Sequence, residues 1–183
     1  MKFLEDLRAD AGDQVRPLVD GLAAHFVKAR ARRNEAFYEQ GDPVDGLYIV
    51  SHGAVIMEWT HANGNSVAFR LATAGDTFGL RSLCAQEPRS TSARAAGETL
   101  AMFLPLSSLE ETLRAEPRLW RHLARMVGRD SGPRLSKMLH NARIPAAARL
   151  AYVLDHLCRR HPECDGSGRL HLPLRQRDLA FLL

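Results

Sequence analysis

The chain of 183 residues is 45% hydrophobic and 25% charged, which is an ordinary composition for a soluble domain that buries a core. No stretch approaches the roughly 18 uninterrupted apolar residues of a membrane span, and acidic residues at Glu5 and Asp6 come too early for a secretion signal. We therefore expect a cytoplasmic protein with no membrane partner, whose three cysteines are reduced thiols.

Charge is distributed unevenly along the chain. Residues 1–113 hold 11 Lys/Arg and 15 Asp/Glu, a net charge of −4, whereas residues 114–183 hold 14 and 6, a net charge of +8. A basic half joined to an acidic half is typical of a protein that places one end on a polyanion. Solvated arginine-rich helices would give the same pattern, so charge alone does not decide between the two.

The N-terminal part of the chain has a helical pattern. Leu4, Leu7, Leu22 and Phe26 recur at helix-like spacing, which predicts a helical segment over residues 1–33. Residues 34–106 consist instead of short β-rich runs separated by the turn residues Gly41-Asp42, Gly53, Asn63-Gly64 and Gly75-Asp76. Many short strands at even spacing predict a small barrel or roll.

The helical period returns after Ser107. We expect one face of a long helix to pair with a second copy of the chain through Leu119, Leu123, Met126, Val127, Leu135, Met138 and Leu139. Gly132-Pro133 should kink this helix. Further helices are predicted over residues 146–160 and from Arg175. Because the last helix runs into an apolar end, we expect the natural protein to continue beyond Leu183.

Several motifs lie in a meaningful order along the chain. They are the runs from Gly41 to Gly53, from Gly75 to Gly79, from Pro88 to Thr91, from Ile144 to Ala151 and from Leu172 to Ala180. Together they resemble the CRP/FNR family of transcriptional regulators over residues 34–183.

The resemblance implies an α+β fold. Its parts are an N-terminal helical segment at 1–33, a β-roll (double-stranded β-helix) sensor at 34–106 and a dimerisation helix at 107–143. The start of a winged helix-turn-helix domain follows at 144–183, and its recognition helix would lie after Leu183.

The resemblance also implies an effector pocket in the roll. Its residues are Phe78, Gly79, Leu80, Arg81, Arg89, Ser90, Thr91, Arg134 and Leu135. In members that bind cyclic AMP, a glutamate holds the ribose, and an arginine with a hydroxyl holds the phosphate. Arg89 and Ser90 match, but Leu80 occupies the glutamate position. Three alternatives remain: cyclic AMP, another anionic ligand held by Arg81 and Arg89, or a structural ion pair at Arg89 with no ligand.

The cysteines and histidines indicate no metal cofactor. No cysteine precedes Cys84, so the iron–sulfur cluster of the FNR type is not expected. Cys84 itself is either a redox-sensitive thiol or a small buried hydrophobe. No phosphate loop, paired carboxylates or Ser-His-Asp order indicates an enzyme.

The functional expectation is a homodimeric regulator that binds a near-palindromic operator and contacts RNA polymerase if it activates transcription. The hinge between sensor and DNA-binding domain would be Arg143-Ile144-Pro145, and Arg175, Gln176 and Arg177 would lie close to DNA phosphates. The alternative is a cyclic nucleotide-binding regulatory module that acts through protein partners instead of DNA.

Overall fold

The structure is a computed structural model. It describes residues 21–115, 117, 120, 121, 123, 124, 127, 145–160 and 172–182. The predicted long helix and its kink at Gly132-Pro133 therefore lie largely outside the described residues.

The described residues form eight strands and four helices. The strands are β1 Val27–Ala31, β2 Ala36–Tyr38, β3 Gly46–His52, β4 Ala54–Thr60, β5 Ser66–Thr73, β6 Thr77–Phe78, β7 Ser92–Ala95 and β8 Thr99–Pro105. The helices are α1 Leu80–Ala85, α2 Leu106–Ala115, α3 Ala146–Arg160 and α4 Gln176–Leu182. None of the helices in the described ranges is long and apolar enough to cross a membrane.

The strands form two four-stranded sheets that make up the roll. One sheet has the order β1-β8-β3-β6 and the other β2-β7-β4-β5, and the neighbouring strands are antiparallel. The turn predicted at Asn63-Gly64 lies in the loop that joins β4 to β5, with Gly64 at φ 85°, in the left-handed region that favours glycine. The α+β fold with a β-roll is confirmed.

The central strands are buried on both faces, which explains their continuous apolar sequences. Successive side chains of a strand point to opposite faces. In β3, Leu47 and Ile49 pack under the helices, whereas Tyr48 and Val50 point between the sheets. The roll is therefore a middle layer, with apolar cores inside it and on both outer sides.

Two sequence predictions need correction. The helical segment predicted to reach residue 33 was wrong over Val27–Ala31, which is strand β1 paired with β8. Its alternation of exposed Lys28 and Arg30 with the more buried Ala29 and Ala31 has a period of two, as an edge strand requires. Helix α1 was not predicted, because it has only 6 residues and lies inside the β-rich region. The helices predicted over 146–160 and from Arg175 are confirmed, and the long helix predicted after Ser107 is seen over its first part as Leu106–Ala115.

Gly46 begins β3 where two strands leave no room for a side chain. A Cβ there would overlap the Leu104 carbonyl oxygen and approach the Phe103 ring to 2.6 Å. Because backbone must move to accept it, we expect Gly46→Ala to lower the free energy of unfolding by at least about 2 kcal/mol. Urea denaturation measures the loss. Gly21→Ala, where no atom lies within 4 Å of the added carbon, is the control, and equal effects would contradict this packing.

Candidate functional site

The segment around Arg89 is fastened to the turn at Gly41-Asp42. The Arg89 amide donates to the Asp42 carbonyl at 2.8 Å, and the Gly41 amide donates to the Arg89 carbonyl at 2.7 Å. Gly79 lies opposite at the end of β6, with φ 81° in the left-handed region. The turn, the glycine and the arginine found in three separate sequence motifs are thus brought together.

The Arg89 side chain is buried and engaged inside the protein, with only 2% of the residue exposed. One terminal nitrogen donates to the Gly79 carbonyl at 3.0 Å. The other donates to the Gly46 carbonyl and to Asp45 Oδ1, both at 2.7 Å. A guanidinium presents its donors in a fixed fork, so one side chain can join strands β3 and β6 in this way.

The flat face of the same guanidinium lies over the Tyr38 ring, with Cζ at 4.3 Å from the ring centre. This is a favourable cation–π arrangement. Its Nε has no hydrogen-bond partner among the described residues. An added Cβ on Gly79 would approach the Arg89 Nη1 to 2.5 Å, so glycine is needed there for the arginine to lie this close.

The other predicted pocket residues are placed differently. Leu80 is 4% exposed and packs in the apolar core beneath the helices with Leu47 and Leu83. Arg81 is exposed, and Ser90 and Thr91 are half-buried. The Ser90 amide donates to Ser82 Oγ at 3.2 Å. Arg134 and Leu135 lie outside the described residues, and the assignment of the whole set to an effector pocket stays a prediction.

Aromatic side chains fill the space between the two sheets beside Arg89. Phe78 stacks on Tyr48 with 5.0 Å between ring centres, and Phe37 meets both rings edge-on. Burial, followed by the negative charge of Asp45, raises the pKa of Tyr48 to about 12. The phenol is therefore neutral at physiological pH and donates to the Phe37 carbonyl at 3.4 Å.

Sequence reasoning missed three residues near this site. Tyr38 and Asp45 both contact Arg89, and Asp45 lies in a motif that was read only as a turn and a strand. Arg70 pairs across the β4–β5 ladder with Met57, which packs between the sheets, and its Nη1 lies 3.7 Å from the Met57 sulfur. Residues paired across two strands lie on the same face of the sheet. The alternation of side chains along β4 and β5 therefore places Arg70 on the inner face together with Val55 and Met57, and this signal was present in the sequence.

At the other end of the chain, helix α4 rests on the outer face of the β4–β5–β7 sheet. Leu182 is 2% exposed and packs against Ala54, Ile56, Ala68 and Ala96. Arg175, Gln176 and Arg177, predicted to lie near DNA phosphates, are all exposed at the start of this helix. Their contact with DNA stays a prediction.

The predicted dimer and hinge residues are only partly described. Leu123 is 1% exposed and packs in the apolar core beneath the helices, against which Val127 also packs. Their side chains thus contact the same chain here, and their place in a dimer interface stays a prediction. Pro145 is exposed immediately before α3. The remaining positions lie outside the described residues: Leu119, Met126, Leu135, Met138, Leu139, Arg143 and Ile144.

Within the part of the chain that the structure describes, no three His, Cys, Asp or Glu side chains converge as a metal site would need. Cys84 is half-buried, and burial raises the pKa of its thiol. A raised pKa means less thiolate at neutral pH, which disfavours reaction with oxidants.

Comparison with known proteins agrees with this geometry. Residues 28–116 match the family described as cyclic nucleotide-binding domain. The cyclic AMP receptor protein of Thermus thermophilus is 29% identical over 121 residues, which cover 62% of this chain and 56% of the relative. The matched region thus spans little more than half the length of that protein.

Solved structures share the same architecture. FixK2 from Bradyrhizobium japonicum superposes with a TM-score of 0.77 at 26% identity, covering 86% of this chain and 77% of that one. The catabolite activator protein of Thermus thermophilus gives 0.60 at 26% identity, covering 85% and 71%. The N-terminal domain of a transcriptional regulator from Streptomyces coelicolor gives 0.55 at 26% identity, covering 73% and 90%.

The roll with its arginine-bearing segment thus matches the cyclic nucleotide-binding domain family in sequence and has the fold of such domains. Beyond this domain, the chain is similar in sequence and fold to regulators such as FixK2 and the catabolite activator protein of Thermus thermophilus.

The Arg89 contacts predict a structural cost for its removal. In Arg89→Met the carbonyls of Gly46 and Gly79 lose their donor while still buried, so we expect the free energy of unfolding to fall by about 2–4 kcal/mol. Asp45→Asn is the matched variant. The Asp45 side chain is 59% exposed and asparagine still accepts a hydrogen bond, so its cost should stay below about 1 kcal/mol. Equal losses in urea denaturation would show that the carbonyl contacts contribute nothing.

The raised pKa of Cys84 predicts that its thiol reacts slowly with disulfide reagents. In the variant Cys158→Ser/Cys164→Ser, where Cys84 is the only thiol, we expect reaction with a disulfide reagent at pH 7.5 to be slower than for free cysteine. The same protein in urea should react at the free rate, since unfolding removes the burial. Fast reaction of the folded protein would instead support a redox-sensing thiol.

Proposed function

We propose that this chain functions in a DNA-binding transcriptional regulator of the CRP/FNR type. In this proposal the regulator is a cytoplasmic homodimer that pairs through the dimerisation helix predicted over residues 107–143. Its roll senses a signal, and a change at the Arg143-Ile144-Pro145 hinge reorients two helix-turn-helix domains on a near-palindromic operator. If it activates transcription, RNA polymerase is a further partner.

One observation carries the proposal. Helix α4 follows a cyclic nucleotide-binding roll and presents two arginines and a glutamine to solvent at one end, in the part of the chain with a net charge of +8. In a helix-turn-helix domain the helix before the recognition helix crosses the DNA backbone. Arginines at its start would neutralise phosphates and position the domain, while the recognition helix reads the bases.

The contacts of Arg89 bear on the effector. A phosphate that captured this guanidinium would have to displace Asp45 and leave two buried carbonyls without their donor, at a cost of about 1–3 kcal/mol each. Leu80 offers no acceptor for ribose hydroxyls. We therefore propose that the effector is not cyclic AMP bound through Arg89 and a ribose acceptor. Either another ligand acts on the roll, or the protein is regulated without a small ligand.

DNA binding by the full-length protein tests the function directly. We expect the wild type to enrich palindromic sequences from a random DNA pool and to bind them with a steep salt dependence. Arg175→Gln or Arg177→Gln should weaken binding to all sequences about equally and reduce the salt slope by about one unit each. Fluorescence anisotropy over a range of salt concentrations measures both quantities.

Arg114→Gln is the control for the change in charge. Arg114 is exposed on α2, where it pairs with Glu110 at 3.5 Å, so its loss should leave DNA affinity and slope unchanged. A wild-type protein that selects no DNA, but retains a protein partner from its own cell, would favour the alternative of a regulatory module acting through proteins.

A further inference from the structure

The sensor domain and helix α4 are joined by an ion pair as well as by apolar packing. Arg33, in the turn after β1, donates from Nη1 to Asp178 Oδ2 at 2.9 Å and from Nη2 to the Pro173 carbonyl at 2.7 Å. The side chains are 22% and 10% exposed. Pairs this shielded from water interact more strongly than exposed ones.

Asp178 also fixes the beginning of its own helix. The same Oδ2 that receives Arg33 accepts a hydrogen bond from the Arg175 amide at 2.8 Å. The other oxygen, Oδ1, lies 3.8 Å from Arg177 Nε. One carboxylate thus connects the sensor domain to both arginines that the proposed function assigns to DNA phosphates.

Two further contacts keep α4 in the same place. Leu182 fills the apolar patch on the outer face of β4 and β5. Gly97, in the turn between β7 and β8, lies so close to Pro173 that an added Cβ would come within 2.5 Å of the proline ring. The helix is therefore held at its start by Arg33 and at its end by the sheet, and its arginines still face solvent.

We propose that Arg33 is a positioning residue for DNA binding: acting through Asp178, it holds the start of α4 in the orientation in which Arg175 and Arg177 meet phosphates. This inference rests on the proposed function. The docked helix leaves those side chains exposed, so docking and DNA contact are compatible. Holding the helix before DNA arrives reduces the ordering cost of binding.

The test uses the full-length protein and a DNA fragment that the wild type selects from a random pool. Arg33→Met should weaken binding about 3- to 10-fold with an unchanged salt slope, because Arg33 neutralises no phosphate itself. Asp178→Asn, which keeps an acceptor for the Arg175 amide, should lose about as much. The double variant should be no weaker than either single variant, since both remove one interaction.

Two controls separate positioning from other roles. Arg33→Lys keeps the charge but not the fork that reaches the Pro173 carbonyl, so it should recover part of the affinity. Arg114→Met removes an exposed charge elsewhere and should leave affinity unchanged. A role in stability alone would lower the melting temperature of Arg33→Met without changing the affinity of the folded protein.

The outcomes are distinguishable. Wild-type affinity in Arg33→Met would overturn the inference and leave the proposed function in place. A salt slope reduced by about one unit would overturn it as well, because Arg33 would then contact DNA itself. Additive losses in the double variant would show that Arg33 does not act through Asp178. A wild type that selects no DNA would overturn the proposed function together with the inference.

Discussion

The buried guanidinium of Arg89 is the interaction on which the roll most depends. It joins the start of β3 to the end of β6 through the Gly46 and Gly79 carbonyls. The backbone of Arg89 also forms hydrogen bonds with the turn at Gly41-Asp42, which precedes β3. A buried cation is costly unless hydrogen bonds compensate it, and here two carbonyls, Asp45 and the Tyr38 ring do so. The arginine that the sequence resemblance places in an effector pocket is, in this structure, part of the internal framework.

Burial of the roll on both outer faces connects the parts of the molecule. Helices cover one sheet around Leu47 and Leu104, and α4 covers the other around Ile56. The two sheets thus pack, on opposite sides, against the chain that leads into the predicted dimer helix and against α4, at whose start lie the arginines proposed to contact DNA. A change in the roll could bias both, provided that the signal binds one arrangement better than the other.

The sequence allowed the β-roll and most helices to be predicted, because turn glycines such as Gly53 and Gly75 and the return of helical periodicity are local signals. Strand β1 was not predicted, since a run such as Lys28-Ala29-Arg30 reads equally as a basic helix end until β8 is known to pair with it. Arg89 was identified by its motif, but its partners were not. Asp45 lies 44 residues away in the chain, and only the fold brings the two together.

The central claim is that Arg89 is engaged by the protein itself and that no ordinary cyclic AMP site is formed around it. Calorimetric titration of the full-length protein with cyclic AMP tests this most directly. We predict no saturable binding with a dissociation constant below about 1 mM, which corresponds to a binding free energy of only about −4 kcal/mol. Micromolar binding that disappears in Arg89→Lys would contradict the account, because the guanidinium would then have exchanged its internal partners for a phosphate.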